Sequence, residues 1–268
     1  MDFSFIIINY RSLDYTRACL ESLFAFLPTD GSWEIILIDN DSQDGSAETL
    51  VREFSGRIRF IQNDQNRGFA AANNQGAALA QGRFLFFLNS DTEIKNNILI
   101  PTRELLDHQP AIGLLAPLVL NPEGKWQFGA CGRRQTLGNL LKQNTKTNWL
   151  RDKPVDYWET DWVSGAALII RHELFDRLNG WDEKFFLYLE DSDLCFRAQK
   201  AGAQVAICPA AELIHYGGQS PASDRIRRQH YYRSQAYYFK KHYGLFVSLL
   251  MRLARWPYKS LVLSKQRT

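Results

Sequence analysis

Four short runs of apolar side chains constrain this chain more than any other feature: FSFIIIN (3–9), WEIILID (33–39), IRFIQ (58–62) and RFLFFLN (83–89). They are rich in Ile and Phe and continuous rather than alternating, as strands buried on both faces must be. Between them lie three stretches of helical length, SLDYTRACLESLFAFL (12–27), DGSAETLVREF (44–54) and GFAAANNQGAALAQG (68–82). The first carries Leu13, Ala18, Leu20, Leu23, Phe24 and Leu27 on a helical repeat, and Ser46 is a candidate cap for the second. Strand and helix in regular alternation predict an α/β fold, a Rossmann-like and mostly parallel central sheet with helices on both faces.

In such an open sheet, ligands collect beyond the carboxyl ends of the strands, where loops and helix N-termini face a common crevice. Each run here ends in polar residues: Asn9-Tyr10, Asp39-Asn40, Asn63-Asp64 and Asn89-Ser90-Asp91. One such end is an ordinary turn, but four on one rim predict a binding crevice. Carboxylates and amides in that place suit a diphosphate held through Mg2+ or Mn2+, which prefer hard oxygen ligands. No Gly-X-Gly-X-X-Gly follows the first run and no Gly-X-X-X-X-Gly-Lys-Ser/Thr occurs, which argues against dinucleotide and P-loop chemistry. A nucleotidyltransferase would open with a Gly-rich basic loop, and NYRSLDYT has no glycine.

Farther along, residues 112–170 are less regular, and the polar stretch Lys142 to Asp161 is expected to form a mobile loop. SGAALIIR (164–171) reads as a strand, and 172–202 as helical, with Leu189, Leu194, Ala198 and Ala201 as its core stripe and Gly202 as its end. AQVAICP (203–209) and AELIHY (211–216) read as two further strands. The opening MDFSFIIINYRS lacks a basic leader region, and Cys19, Cys131, Cys195 and Cys208 lack metal-site spacing. Both point to a cytoplasmic protein with reduced, packed cysteines.

Charge is unevenly placed. From Arg225 to Thr268 there are eleven Lys or Arg and no Asp or Glu, so the remainder carries −8 against an overall +3. A helix begun at Leu245 puts Leu245, Phe246, Leu249, Leu250 and Leu253 on one side with Arg252 and Arg255 beside it, the pattern of a helix lying in a membrane interface. Its apolar run is far short of the roughly 20 residues needed to span a bilayer. Residues 225–268 are thus expected to meet a membrane surface, with docking on the domain as the alternative. The acidic remainder and the lack of a reading motif exclude nucleic acid as a partner.

Four segments then carry a resemblance: FIIINYRSLDYTRACLESL, IILIDNDSQDGSAETL, NRGFAAANNQGAALAQGRFLFFLNSDTEI and GWDEKFFLYLEDSDLCFRAQKAG. In order and spacing they resemble the motifs of family 2 glycosyltransferases with the GT-A fold, and more narrowly the bacterial rhamnosyltransferase branch. The resemblance implies a GT-A domain over 1–222, with a nucleotide-binding half (1–95) and an acceptor and catalytic half (96–222), followed by a helical extension over 223–268. It implies inverting transfer of a sugar, rhamnose from dTDP-rhamnose or the sugar of a UDP- or GDP-linked donor, to a lipid-linked or polysaccharide acceptor. Such work belongs at the inner face of the cell membrane.

Residue roles follow from the same resemblance. Asp39 matches the acidic residue that holds the nucleobase or ribose, with Asn9 and Asn40 on the same pocket; read alone, Asp39 and Asp41 equally begin a turn. In NRGFAAANNQG, Gly68 would let backbone approach the donor and Asn74 would present an amide to it. Asn89-Ser90-Asp91 occupies the place of the family's Asp-X-Asp, whose last Asp binds the metal bridging the phosphates. Asn89 offers only an amide carbonyl, so Asp91 carries most of the metal function, with His215 as a further ligand favouring Mn2+. Asp191 matches the general base. Glu190 would contact the acceptor or position Asp191, and Trp181 and Asp182 would lie near the acceptor pocket. Asp193 and Arg197, four apart, should simply pair. A non-catalytic sugar-nucleotide-binding protein is the rival reading, and Asn89 is its hint.

Overall fold

The apolar runs become strands β1 (Phe3–Asn9), β2 (Trp33–Asp39), β3 (Arg59–Gln62) and β4 (Phe84–Asn89). They are joined by α1 (Leu13–Phe26), α2 (Ser46–Glu53) and α3 (Phe69–Ala77). All four strands pair in parallel in the order β3-β2-β1-β4. Their register sets Asn9 beside Asp39 and Ile8 beside Asn89, so three polar strand ends stand on one edge of the sheet.

The computed structural model describes residues 1–127, 129–141, 156–218 and 223–254. After β4 come β5 (Thr92–Ile94), α4 (Leu99–His108), β6 (Ile112–Leu120), β7 (Cys131–Gly132), α5 (Leu137–Leu141), β8 (Trp158–Glu159), β9 (Trp162–Val163) and β10 (Ala167–Arg171). They are followed by α6 (His172–Arg177), α7 (Glu190–Lys200), β11 (Gln204–His215) and α8 (Asp224–Ala254). The sheet continues from β4 as β10-β6-β11-β5, with β8 paired to β11. β10 runs antiparallel to both its neighbours, whereas β11 is parallel to β6.

Successive side chains of the central strands point to opposite faces, which divides the core in two. Phe5, Ile7, Phe86 and Ile169 pack with Leu20 and Leu23 of α1 on one face; Ile6, Phe87 and Leu168 pack with Leu174 and Leu194 on the other. A third cluster of Phe185, Leu189, Phe196, Tyr238, Phe239 and Met251 fastens α8 to α7. All four cysteines are free and buried.

The structure corrects the sequence reading in several places. Residues 112–120, expected to be irregular, form the central strand β6. Gly113 belongs there because a Cβ would stand 2.5 Å from Leu174 Cδ2 and 2.6 Å from Ala203 Cβ. Residues 172–202 form two helices, because Asn179, Gly180, Tyr188 and Leu189 all take positive φ in the turn between them. The two last strands are one, β11, whose register shifts between Cys208 and Glu212 as Pro209 removes a donor from the ladder. Ser46 is the first helical residue rather than the cap; its N–H donates to Asp44 Oδ1 at 3.0 Å. Of the expected loop at 142–161, residues 142–155 lie outside the described residues, and Trp158 and Glu159 pair with β11. Among the described residues no helix is long and apolar enough to cross a membrane.

Candidate active site

The rim is most tightly built at Asn9 and Asp39, both fully buried. Asn9 Nδ2 faces Asp39 Oδ1 at 2.7 Å, Ser46 Oγ at 2.8 Å and Ser42 Oγ at 3.1 Å. Its Oδ1 accepts from Thr16 Oγ1 at 2.8 Å and Ser12 Oγ at 3.1 Å. Asp39 accepts from Ser42 Oγ at 2.5 Å and from Ser42 N at 3.0 Å. Asn9, expected to line the nucleotide pocket, therefore ties β1 to β2 and α2 instead. The Asp39 carboxylate is likewise turned inward, shaping the loop in which Asp41 and Gln43 take positive φ.

Beside it, side-chain amides form a ladder. Asn63 Nδ2 donates to Asn40 Oδ1 at 3.0 Å and Gln75 Oε1 at 2.9 Å, while Asn40 Nδ2 donates to Asn66 Oδ1 at 3.0 Å. Arg67 N and Gly68 N donate to Asn40 Oδ1 and Asn66 Oδ1. This fixes the loop 63–68 and leaves the side chains of Arg11 and Arg67 exposed on the rim. Gly68 serves a contact other than the expected one: a Cβ there would lie 2.6 Å from Phe186 O, so glycine admits the loop before α7. Asn74 also differs from expectation. Its Oδ1 accepts from Trp181 N at 2.9 Å and its Nδ2 donates to Trp181 O and Glu183 Oε1, latching α3 to that same loop.

Asn89-Ser90-Asp91 follows β4, and the antiparallel pairing of His215 with Thr92 brings β11 to it. His215 Nε2 stands 3.2 Å from Asp91 Oδ1 and 3.4 Å from Asn89 Nδ2. Ser90 Oγ lies 3.1 Å from Ser12 Oγ. On the far side of the ring, His215 Nδ1 is 2.7 Å from Gln127 Oε1, and Gln127 Nε2 donates to His215 O at 3.1 Å. Gln127 Oε1 so oriented accepts a hydrogen bond from Nδ1–H, and Nε2 is the nitrogen that faces Asp91. A ring nitrogen and a carboxylate oxygen side by side are a donor pair of the kind that Mn2+ accepts. Among the described residues no three His, Cys, Asp or Glu converge. Gln127 lies 88 residues from His215 and no sequence signal points to it.

The other charged corner is the start of α7. Asn89 N donates to Ala166 O at 2.9 Å, and Gly165 N, one residue on, donates to Asp191 Oδ2 at 3.1 Å. Residues 165 and 166 thus link the end of β4, two residues before Asp91, to the Asp191 carboxylate. Burial pushes the Asp191 carboxyl up from its ordinary value, against hydrogen bonds from Gly165 N and Ser192 N. Glu190 is buried too, and its Oε2 has no partner among the described residues. Burial first and the Asp191 charge second push its carboxyl well above the usual range. Of the two roles expected of Glu190, contact with the acceptor or positioning of Asp191, its burial beside Asp191 accords with the second.

Trp181 and Asp182, expected near the acceptor pocket, make the following contacts. Trp181 is buried with its ring edge-on to Phe69 and Phe87, which makes it a core residue. Asp182 Oδ2 accepts from Lys241 Nζ at 2.6 Å and Tyr237 Oη at 2.9 Å, tying it to α8. Burial raises its carboxyl, but the Lys241 hydrogen bond and its companions outweigh that and hold it low. Asp193 pairs with Arg197 at 2.7 Å as its spacing predicts, and also meets His242 and Lys241 of α8 at 2.7 and 2.6 Å. Burial of Asp193 is outweighed by the His242 hydrogen bond and the Arg197 charge, so its carboxyl is lowered.

With this geometry in place, the comparison with known families is direct. The glycosyl transferase family 2 model matches residues 4–178. The chain belongs to that family. It is similar to the N-acetylglucosaminyl-diphospho-decaprenol L-rhamnosyltransferase of Mycobacterium tuberculosis, 25% identical over 82% of this chain and 77% of the relative. It is likewise similar to rhamnosyltransferase WbbL of Escherichia coli, 25% identical over 79% of this chain and 82% of the relative. Among solved structures, GalNAc-T7 with UDP, GalNAc and Mn2+ superposes with a TM-score of 0.65 at 16% identity, over 90% of this chain and 50% of that one. Residues 1–349 of S. aureus TarS give 0.60 at 16% identity, over 90% of this chain and 72% of that one. The fold is therefore that of the GT-A glycosyltransferases, as expected, and the enzyme is a glycosyltransferase.

Proposed function

We propose that this glycosyltransferase moves rhamnose, with inversion, from dTDP-rhamnose to a lipid-linked saccharide such as an N-acetylglucosaminyl-diphospho-polyprenol, in the synthesis of a cell-surface glycan. The observation that supports it is the link through residues 165 and 166, which ties the Asp191 carboxylate to the end of β4, two residues before Asp91 and its partner His215. The names of the two rhamnosyltransferase relatives support the sugar, and the first supports the acceptor.

Asp191 accepts the proton of the acceptor hydroxyl as that oxygen bonds to the anomeric carbon, and the bond from that carbon to the diphosphate breaks. A carboxylate desolvated above its ordinary value is a stronger base than a solvated one, which suits it to a sugar hydroxyl. Asp91, His215 and the Asn89 amide would hold a divalent cation, Mn2+ or Mg2+, whose charge offsets that of the departing diphosphate. Arg11 and Arg67 add positive charge on the exposed part of the rim. The turn containing Asp39 and Asn40, and with it Asn9, Gly68 and Asn74, shapes the nucleotide side by position rather than by free side chains.

Membrane contact belongs to the second half of α8. Gly244 breaks the helix with φ 88° and ψ 169°, and beyond it Leu245, Phe246 and Leu253 are 60%, 73% and 70% exposed. That apolar face, with Arg252 beside it, lies at the inner surface of an anionic bilayer. Co-sedimentation with phosphatidylglycerol vesicles, lost in the Phe246→Ser, Leu253→Ser double variant, is the expected result; a wild-type chain that stays in the supernatant overturns this part.

The test of the whole reading is a panel of nucleotide sugars with and without Mn2+, scoring diphosphate release in the presence of the lipid-linked acceptor. Cation-dependent turnover with dTDP-rhamnose is expected. Faster turnover with a UDP-sugar overturns the donor assignment, and donor binding without turnover restores the non-catalytic rival.

A further inference from the structure

The segment that delivers Asp191 to the rim takes a conformation it would not adopt alone. Tyr188 and Leu189, directly before Glu190, have φ of 73° and 67°, a region that residues with a Cβ avoid. Two such residues in succession persist only where their surroundings over-determine them. Most of those surroundings come from the first half of α8. Ser234 Oγ donates to Leu187 O at 2.7 Å, and the His230 ring stacks on Phe186 at 4.8 Å with 21° between planes. Tyr231 meets Tyr188 edge-on at 6.1 Å, and Tyr237 meets Phe185 at 4.8 Å. From the opposite side Phe69 N donates to Phe186 O at 2.9 Å, in the space the absent Cβ of Gly68 leaves. The segment is clamped between α3, which follows the amide-ladder loop, and α8.

We propose that Ser234 and His230 are positioning residues for the base: through Leu187 O and Phe186 they hold residues 186–189 in the left-handed turn that starts α7 with Asp191 against Gly165. The inference rests on Asp191 being the base. It gives the first half of α8 a part in catalysis separate from the membrane contact of its second half. Neither residue touches the reacting atoms, so their loss acts on the orientation of Asp191 and leaves the donor rim as it is.

The test compares Ser234→Ala, His230→Ala and the ring-preserving His230→Phe with wild type, using dTDP-rhamnose, Mn2+ and the lipid-linked acceptor, with amide hydrogen exchange measured on the same samples. Misplacing a catalytic group by about 1 Å costs up to about a hundredfold in rate. The two Ala variants should therefore lose about ten- to a hundredfold in kcat with donor KM within about twofold of wild type. His230→Phe should recover most of the rate. Exchange should quicken at residues 187–193 and stay unchanged in the parallel strands. Wild-type kcat in both Ala variants, or a donor KM that rises and a melting temperature that falls along with kcat, overturns the proposal. Unchanged exchange at 187–193 overturns it whatever the donor. Asp191→Asn separates the two levels: an inactive Asp191→Asn beside fully active Ala variants sinks the positioning role alone, and an active Asp191→Asn sinks the base on which it rests.

Discussion

The two ends of the rim are built on opposite rules. Around Asn9 and Asp39 the buried polar side chains are paired, by seven bonds among Asn9, Asp39, Ser42, Ser46, Thr16 and Ser12 in addition to the loop backbone. At the start of α7, Glu190 is buried with one oxygen that has no partner among the described residues, and the half-buried Asp191 beside it accepts only from the backbone N–H groups of Gly165 and Ser192. A satisfied network fixes geometry and holds loops in place. Buried carboxylates short of partners keep shifted proton affinities, which is what an acid-base step uses. On the proposed function, the first end is scaffold and the second supplies the base.

Asn9→Ala would break the closed end most severely. It removes the donor to Asp39 Oδ1 and leaves a buried carboxylate short of a partner, a loss of about 3 kcal/mol in denaturant unfolding. A loss under about 1 kcal/mol would mean the network is not a scaffold. At the open end the acid limb of kcat/KM should lie above the roughly 3.9 of an ordinary aspartate, because activity falls as pH drops through the raised carboxyl of Asp191. A limb at or below that value contradicts the burial argument.

Glu190→Gln sharpens the comparison because its sign is opposite to that of Asn9→Ala. A carboxyl raised in the folded state binds a proton that the unfolded chain releases. Wild-type stability therefore declines as pH rises from about 4.3 towards the raised value. The Gln variant lacks that decline, so its melting temperature relative to wild type should improve from pH 4 to pH 8; a constant difference refutes a raised Glu190. The smallest effect on activity belongs to Trp181→Phe. It removes core volume for about 1–2 kcal/mol of stability and should leave the acceptor KM unchanged, since the indole packs on Phe69 and Phe87. A large rise in KM would return Trp181 to the acceptor pocket.

The same contrast explains what the sequence could tell. Strands β1 and β2 were legible to the residue, because unbroken Ile and Phe runs bounded by polar ends admit few other structures. β6 was not, since Gly113 and Pro117 interrupt its pattern, and the close approach of Leu174 of α6 that calls for Gly113 shows only in the fold. The rim itself was legible from its four polar ends. Which side chains remain available on it was not: the type of a residue does not show whether its amide is already engaged, as Asn9 and Asn74 both are. Gln127 and Ser234 act through contacts 88 and 47 residues away in sequence, so no local pattern marks them.

The central claim is that Asp191 removes the acceptor proton while the rest of the rim holds the donor. Single-turnover transfer by Asp191→Asn, with donor affinity measured by calorimetry on the same preparation in Mn2+, tests it most directly. The account predicts that transfer falls by at least about a thousandfold, within the range assigned to a positioned base, while donor affinity stays at the wild-type value. Transfer within about tenfold of wild type, with the donor still bound, would show that another group takes the proton.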